Sequence, residues 1–310
     1  MFWAILAATG ACANAAYFIL NKKFLEQLNA YLLAATCFLS TGVILLTLSW
    51  YRGFPAIGPD FFPAVGATVF LNIFGTAITF RALSSSDISL SIPMLSFTPL
   101  FLVGTAALLL GEYPSAVGIL GILIIVTGSY VLNTSAEHER ITDPFRAMIS
   151  HPAVMGMLFV AFLYAIAINF DKMVVLNSDS YFGSGIVILV LGIAFGILAA
   201  LARAGLLPPS FCPQHQPNPG TPKSVLQEPV PVRYLLGAGI LTGCLLVVEA
   251  VTINTAYLLQ IVPYVIAIKR MSIILVVAYG TIIFREKEVV RRLSGAGLMV
   301  LGAILILAFP

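Results

Sequence analysis

The sequence predicts an all-α membrane protein of ten transmembrane helices, arranged as two inverted five-helix repeats. Three observations carry this prediction: an apolar composition, ten apolar stretches of membrane-spanning length, and a residue pattern that occurs twice. Of the 310 residues, 60% are hydrophobic and only 9% are charged, whereas soluble globular chains carry about 25% charged residues. The composition excludes a soluble domain and makes the lipid bilayer the first expected partner.

Each apolar stretch is close to the roughly 20 residues that a helix needs to cross about 30 Å of hydrocarbon. The first stretch lacks the basic start and the cleavage site of a signal peptide, so we interpret it as a membrane helix. Pro93 and Pro99 interrupt the hydrogen-bond ladder of the fourth and predict a kink there. The predicted spans 1 to 10 are residues 2–20, 30–50, 62–82, 88–110, 115–133, 152–172, 181–203, 234–256, 261–284 and 290–309.

A pattern of one glutamate and two glycines occurs twice, at a constant offset of 174 residues. The pairs are Glu112 and Glu286, Gly121 and Gly295, and Gly128 and Gly302. Each half holds five spans, an odd number, so the second half enters the membrane from the opposite side and the repeat is inverted. We predict a first repeat at residues 1–133, a linker at 134–151 and a second repeat at 152–310. A duplication of this kind in an apolar chain indicates a transporter.

The loops predict the orientation of the chain. Twelve Lys and Arg residues follow odd-numbered spans and two follow even-numbered spans. Because basic loops stay in the cytoplasm, both termini are expected outside. The longest polar loops are residues 134–150 and 208–231, and the second is rich in proline and glutamine, which is typical of a linker.

Residues 72–133 contain an alanine at the end of span 3, Pro99 in span 4, a Gly111–Glu112 pair and a glycine-bearing span 5. In these features the chain resembles the EamA repeat of the drug/metabolite transporter superfamily. The second copy departs from the pattern at Ile273, where a proline would fall. The resemblance implies a multi-pass transporter of the cell membrane, in a superfamily that handles phosphorylated metabolites, organic anions, amino acids and drugs.

Residues 267–284 resemble the ninth helix of the triose-phosphate and nucleotide-sugar translocator branch, where a Lys-Arg pair engages a phosphate. Lys269 and Arg270 fall at that pair, and Lys172 at the end of span 6 falls at the place of another lysine. This resemblance implies an organic or phosphorylated anion as substrate.

Charges inside the spans mark the candidate site. Lys269 and Arg270 lie about eight residues into span 9, roughly 12 Å from its start. Charges at that depth are costly unless paired or hydrated, so they indicate either an anion site or an ion pair with Glu249 of span 8. Glu249 lies about halfway along its span, and both a counter-ion role and proton coupling remain open.

Smaller polar residues recur at helical spacing. Asn72 and Thr76 share one face of span 3, and Asn14 and Tyr17 share one face of span 1. Such faces either line a cavity or form interhelical hydrogen bonds. The complete set of candidate substrate-binding residues is therefore Lys269, Arg270, Glu249, Asn14, Tyr17, Asn72, Thr76 and Lys172.

The repeated glutamates and glycines have a structural interpretation. Glu112 and Glu286 precede spans 5 and 10 and are expected to cap them, because a carboxylate satisfies the free N–H groups of a helix start. The glycines of these spans, Gly297 included, are expected to allow close contact between helices. We expect no metal site, since Cys212 and His215 are too few ligands for one.

The predicted function is secondary active transport of a small metabolite by alternating access. No Walker A pattern occurs, so ATP is not expected to drive it. One alternative is a proton-coupled exporter of amino acids or lipophilic drugs. The alternative of another class, a membrane-embedded enzyme acting on lipid, is not favoured because all three histidines lie in or beside loops. We expect a small-molecule substrate, no cofactor and no nucleic acid, and a homodimer stays open.

Overall fold

The computed structural model describes residues 1–25, 27–85, 92–133, 152–206, 231–284 and 289–309. Within these residues the chain forms helices joined by turns, with no strand. A short 3₁₀ helix, Ile92–Phe97, precedes the fourth α-helix. The predicted linkers 134–151 and 208–231 lie outside the described residues, apart from Pro231. The α-helices are α1 Phe2–Leu25, α2 Ala30–Arg52, α3 Phe61–Ser85, α4 Thr98–Leu110, α5 Ala116–Asn133, α6 Pro152–Leu176, α7 Phe182–Arg203, α8 Val232–Leu259, α9 Val262–Lys269, α10 Ser272–Phe284 and α11 Val289–Ala308.

The helices have the length and composition of membrane spans. Seven segments of the described chain are long and apolar enough to cross a bilayer, and three more apolar helices are shorter. The shorter ones are Met94–Leu110, Ala116–Leu132 and Arg292–Ala308. The prediction of an all-α, multi-pass membrane protein is confirmed. The arrangement of ten spans as an inverted repeat stays a prediction.

Span 9 is broken in its middle, where the sequence predicted one continuous helix. α9 ends at Lys269 and α10 begins at Ser272. Across the break, the N–H groups of Met271, Ile273 and Ile274 donate to carbonyls three residues back, whereas an α-helix uses the carbonyl four residues back. This tight turn interrupts the α-helical hydrogen-bond pattern between α9 and α10.

The duplication recurs in the secondary structure. α4 and α10 both contain 13 residues, and their first and last residues are 174 positions apart. Each is preceded by a tight turn rather than by a straight helix, since the 3₁₀ helix runs directly into α4. α4 and α10 therefore occupy equivalent positions under the 174-residue offset.

Glycines allow α5 and α11 to pack closely. A Cβ atom on Gly121 would lie 2.8 Å from Gly302 O, and one on Gly128 would lie 2.6 Å from Gly295 O. Because the first glycine of one helix meets the second glycine of the other, the two helices run antiparallel. Gly297 has open space where its side chain would be, so the expected helix contact is absent at that position. The other long pairs are α2 with α7, α3 with α6 and α1 with α8.

Alanine at Gly302 is expected to destabilise the protein by about 1–3 kcal/mol, because overpacking forces neighbouring backbone to move. Its Cβ would lie 2.5 Å from Gly121 O, a backbone atom that cannot rotate away. Gly297→Ala is the matched control, since it adds the same methyl group to α11 in open space. The measurement is the thermal unfolding midpoint in detergent, and equal midpoints for both variants would contradict the role of Gly302.

Candidate functional site

A cavity of about 190 Å³ lies between α3, α6, α7, α8 and α9. Apolar side chains form much of its wall, and polar groups enter it from all five helices. Among the described residues, no three His, Cys, Asp or Glu side chains come together as metal ligands. The polar side chains of the lining are Asn72, Asp171, Ser184, Glu249, Asn254, Tyr257 and Lys269.

The Glu249 carboxylate is held from two directions. Lys269 Nζ lies 2.6 Å from Glu249 Oε1, and Asn14 Nδ2 donates to both carboxylate oxygens at 3.0 Å. The Glu249 side chain is 7% exposed and that of Lys269 is 28% exposed. The Glu249 carboxylate is thus enclosed by Lys269 and Asn14, whereas part of the Lys269 side chain remains accessible.

Lys269 and Glu249 both lie well inside the bundle. Glu249 is about 15 Å from the end of α8, and Lys269 is about 10 Å from the start of α9. Lys269 is the last residue of α9, and α10 begins at Ser272. The Glu249 carboxylate at 2.6 Å is therefore the group that compensates the ammonium at this depth.

Other titratable groups surround Glu249. Tyr17 on α1, Cys37 on α2 and Tyr257 on α8 are close enough to interact electrostatically with its carboxylate. Tyr17 is half-buried and is not part of the cavity lining. Of the predicted residues, the structure thus places Asn14, Glu249 and Lys269 in direct contact and Tyr17 beside them.

Arg270 is directed away from the cavity. Its Nη2 donates to Leu95 O at 3.1 Å, and Leu95 belongs to the 3₁₀ helix before α4. Leu95 is also the residue 174 positions before Lys269. This guanidinium therefore joins the turn after α9 to the 3₁₀ helix before α4.

Lys172 is also separate from the cavity and forms a cluster that we name the Glu112 latch. Lys172 Nζ pairs with Glu112 Oε1 and donates to Gln260 O at 3.0 Å. The second carboxylate oxygen, Glu112 Oε2, accepts from Val262 N at 2.7 Å. The latch thus joins the turn between α4 and α5 to the ends of α6 and α8 and to the start of α9.

Glu112 was expected to cap α5, and that prediction is wrong, because Glu112 caps α9 instead. Its carboxylate serves the first N–H group of α9, whereas α5 is capped by Ser115, whose Oγ accepts from Gly118 N at 3.0 Å. The sequence placed Glu112 next to α5 but contained no sign that α9 begins beside it. Glu286 lies outside the described residues.

The predicted face of α3 divides between two roles. Asn72 lines the cavity, and its Nδ2 donates to Thr68 O at 2.8 Å and to Thr68 Oγ1 at 3.2 Å. Thr76 is not part of the lining, and its Oγ1 donates to Asn72 O at 2.8 Å. Both residues thus form hydrogen bonds within α3, and of the two only Asn72 lines the cavity.

Sequence reasoning missed Asp171, which faces the cavity from α6. Thr68 Oγ1 of α3 donates to Asp171 Oδ1 at 2.6 Å. The available signal was an ionisable residue within an apolar span, but Asp171 lies one residue before the predicted end of span 6. The observed helix continues to Leu176. Asn254 and Ser184, which hydrogen-bond across the cavity at 2.6 Å, were also missed.

Comparisons with known proteins bear on the fold and on the first part of the chain. No curated protein matches the sequence. A crystal structure, titled only as that of a protein, superposes with a TM-score of 0.73 at 14% identity, covering 98% of this chain and 95% of the other. At that identity the similarity establishes a shared fold. Residues 1–134 match the model of the EamA-like transporter family.

Proposed function

We propose that this chain is a secondary active transporter of a small organic acid. The proposal starts from the match of residues 1–134 to the EamA-like transporter family, which is part of the drug/metabolite transporter superfamily. The cavity bounded by Glu249 and Lys269 is the chain's substrate site. Its volume of about 190 Å³ is below the roughly 300–1,000 Å³ that is usual for drug-sized ligands. A small metabolite is therefore preferred over a bulky lipophilic drug.

Two inverted halves, residues 1–133 and 152–310, provide the alternating access. The reciprocal glycine contacts between α5 and α11 support this arrangement, because a two-fold axis in the membrane plane relates helices in this way. The common register of α4 and α10 supports it as well. The site lies where the halves meet, as in other transporters built from inverted repeats.

The Glu249–Lys269 pair is the observation that carries the proposed mechanism. In the structure the Glu249 carboxylate neutralises the Lys269 ammonium at 2.6 Å. When Glu249 takes up a proton, Lys269 becomes free to bind an acidic group of the substrate. Proton and anion then move together, and the pair re-forms after release, so that neither Glu249 nor Lys269 is left as an unpaired charge at either stage.

Lys269 is the one cation of the described cavity lining, since the Arg270 guanidinium donates to Leu95 O instead. A singly charged acid therefore fits better than a phosphorylated one, whose second charge would need a second cation. The Glu112 latch closes one face of the bundle in this proposal. Its release would open the path to the site from that face.

Glu249→Gln is expected to abolish stimulation of uptake by an inward proton gradient, because an amide cannot carry the coupling proton. Substrate exchange without a gradient should persist. The measurement is uptake and counterflow in proteoliposomes, using an organic acid selected by a thermal-shift screen of the purified protein. Counterflow of unchanged substrate also separates a carrier from an enzyme.

Asp60→Asn serves as the control for this experiment, since it removes an exposed carboxylate outside the cavity. It should keep the stimulation by the proton gradient. Uptake that remains proton-driven in Glu249→Gln would reject Glu249 as the coupling group and leave it only the counter-ion role.

A further inference from the structure

The described lining of the cavity carries more negative than positive charge. Its charged side chains are Asp171, Glu249 and Lys269. Lys269 is already paired with Glu249 at 2.6 Å. Among the described side chains Asp171 has no ion-pair partner of its own, and Lys269 acts on it only from a longer distance.

Asp171 is held in a fixed orientation by α3. Thr68 Oγ1 donates to Asp171 Oδ1 at 2.6 Å, and Asn72 Nδ2 approaches the same hydroxyl at 3.2 Å. A carboxylate can accept about four hydrogen bonds, so this single bond leaves it the capacity to bind a ligand. A positively charged hydrogen-bond donor would complete the surroundings of Asp171, because burying an uncompensated carboxylate in an apolar bundle costs free energy.

We propose that Asp171 is a specificity-determining residue that binds a cationic group, such as an ammonium, of the transported molecule. The inference rests on the proposed function, in which Lys269 binds the acidic group of the same molecule. With Glu249 protonated, the site presents one ammonium at Lys269 and one carboxylate at Asp171. A substrate with one acidic and one basic group neutralises both, whereas a simple acid leaves Asp171 without a counter-charge.

The positions of the two groups support a molecule with separated charges. Asp171 enters the cavity from α6 and Lys269 from the end of α9, and Val174, Val187 and Ile253 contribute apolar wall. An aliphatic chain between the two charged ends matches such a wall. The small cavity volume, about 190 Å³, restricts the length of that chain.

The test measures binding to the full-length purified protein by thermal shift, with three matched series of compounds. The first series contains ω-amino acids from glycine to 6-aminohexanoate, the second the same acids without the amine, and the third the same amines without the carboxylate. At least one ω-amino acid should bind wild type more tightly than its deaminated counterpart. Asp171→Asn should weaken ω-amino acids and amines about tenfold to 100-fold and leave the deaminated acids unchanged.

The ratio of amino-acid to acid affinity is the readout that a purely structural role would not alter. Asp179→Asn is the matched control, because Asp179 caps α7 through Tyr181 N and Phe182 N outside the cavity. An unchanged ratio in Asp171→Asn, or no binding of any amine-bearing compound to wild type, would overturn the inference. If amines bind through Asp171 but no acid depends on Lys269, the inference stands and the proposed function fails.

Discussion

Replacing Lys269 by alanine is expected to lower substrate affinity about 100-fold and to abolish measurable uptake. Lys269 is the described cation that faces the cavity, and removing one partner of a desolvated charge pair between protein and ligand costs about 2–5 kcal/mol of binding free energy, or roughly 30-fold or more in a binding constant. The variant also leaves the Glu249 carboxylate with Asn14 as its remaining hydrogen-bond donor. Uptake in proteoliposomes and the amount of protein in the membrane should be measured together.

The double variant Lys269→Ala with Glu249→Gln separates transport from folding. It removes both charges at once, so no uncompensated carboxylate remains and membrane levels should recover toward wild type. Uptake should stay absent, because the anion still lacks its cation. Recovery of uptake along with stability would indicate that the pair is structural and would contradict the proposed site.

Arg270→Ala is expected to impair transport by a different route. Its guanidinium joins the turn after α9 to the 3₁₀ helix before α4 through Leu95 O, so its loss should disturb that contact rather than the charge of the cavity. We therefore expect a slower rate of uptake with little change in binding affinity measured by thermal shift. A loss of affinity as large as that of Lys269→Ala would place Arg270 in the substrate site instead.

Removing the charge of Glu112 should open one face of the bundle. Glu112→Gln leaves Lys172, whose side chain is 10% exposed, without its ion-pair partner, and the protein should lose up to about 3–5 kcal/mol of stability. The glutamine oxygen can still accept from Val262 N, so the start of α9 is preserved. The change therefore removes the electrostatic attraction between Lys172 and the turn that joins α4 to α5.

Cysteine accessibility measures this opening. Val175→Cys places a thiol in the cavity wall one helical turn after Lys172, in a background that lacks the four native cysteines. A membrane-impermeant thiol reagent should label it several-fold faster when Glu112 is glutamine. Asp179→Asn is the control, because this carboxylate bonds to N–H groups of its own neighbouring helix and joins no other. Equal labelling rates in wild type and Glu112→Gln would refute the latch.

Much of the fold could be predicted because local pattern and composition decide it. A helix is the structure that satisfies its own backbone hydrogen bonds in lipid, so long apolar runs specify where helices lie. Nine of the ten predicted spans correspond to a described helix or its 3₁₀ start within a few residues. The exception is span 9, which is interrupted at Arg270 and Met271. No proline or glycine at this point of the sequence predicts the interruption.

The candidate site could be predicted only in part. The cost of charge in a membrane singled out Lys269 and Glu249 without any structure, and their contact followed from an expected ion pair. Asp171 was missed because its depth depends on where α6 ends, and the apolar pattern predicts an end at residue 172 rather than at Leu176. Lys172 was a candidate through the family resemblance, and the structure places it in the Glu112 latch instead.

The sequence by itself determined that this chain is a helical membrane protein with a duplicated pattern and a few intramembrane charges. These properties depend on residue type and on spacing along the chain. Each side chain contributes its own free energy of transfer from water into lipid, so they can be predicted residue by residue. The tertiary structure decided which charges meet. Gly75 and Glu249 are equivalent by the 174-residue offset, yet Gly75 packs against Tyr164 while Glu249 binds Asn14 and Lys269. That difference arises from contacts between helices far apart in the chain, so spacing could not reveal it.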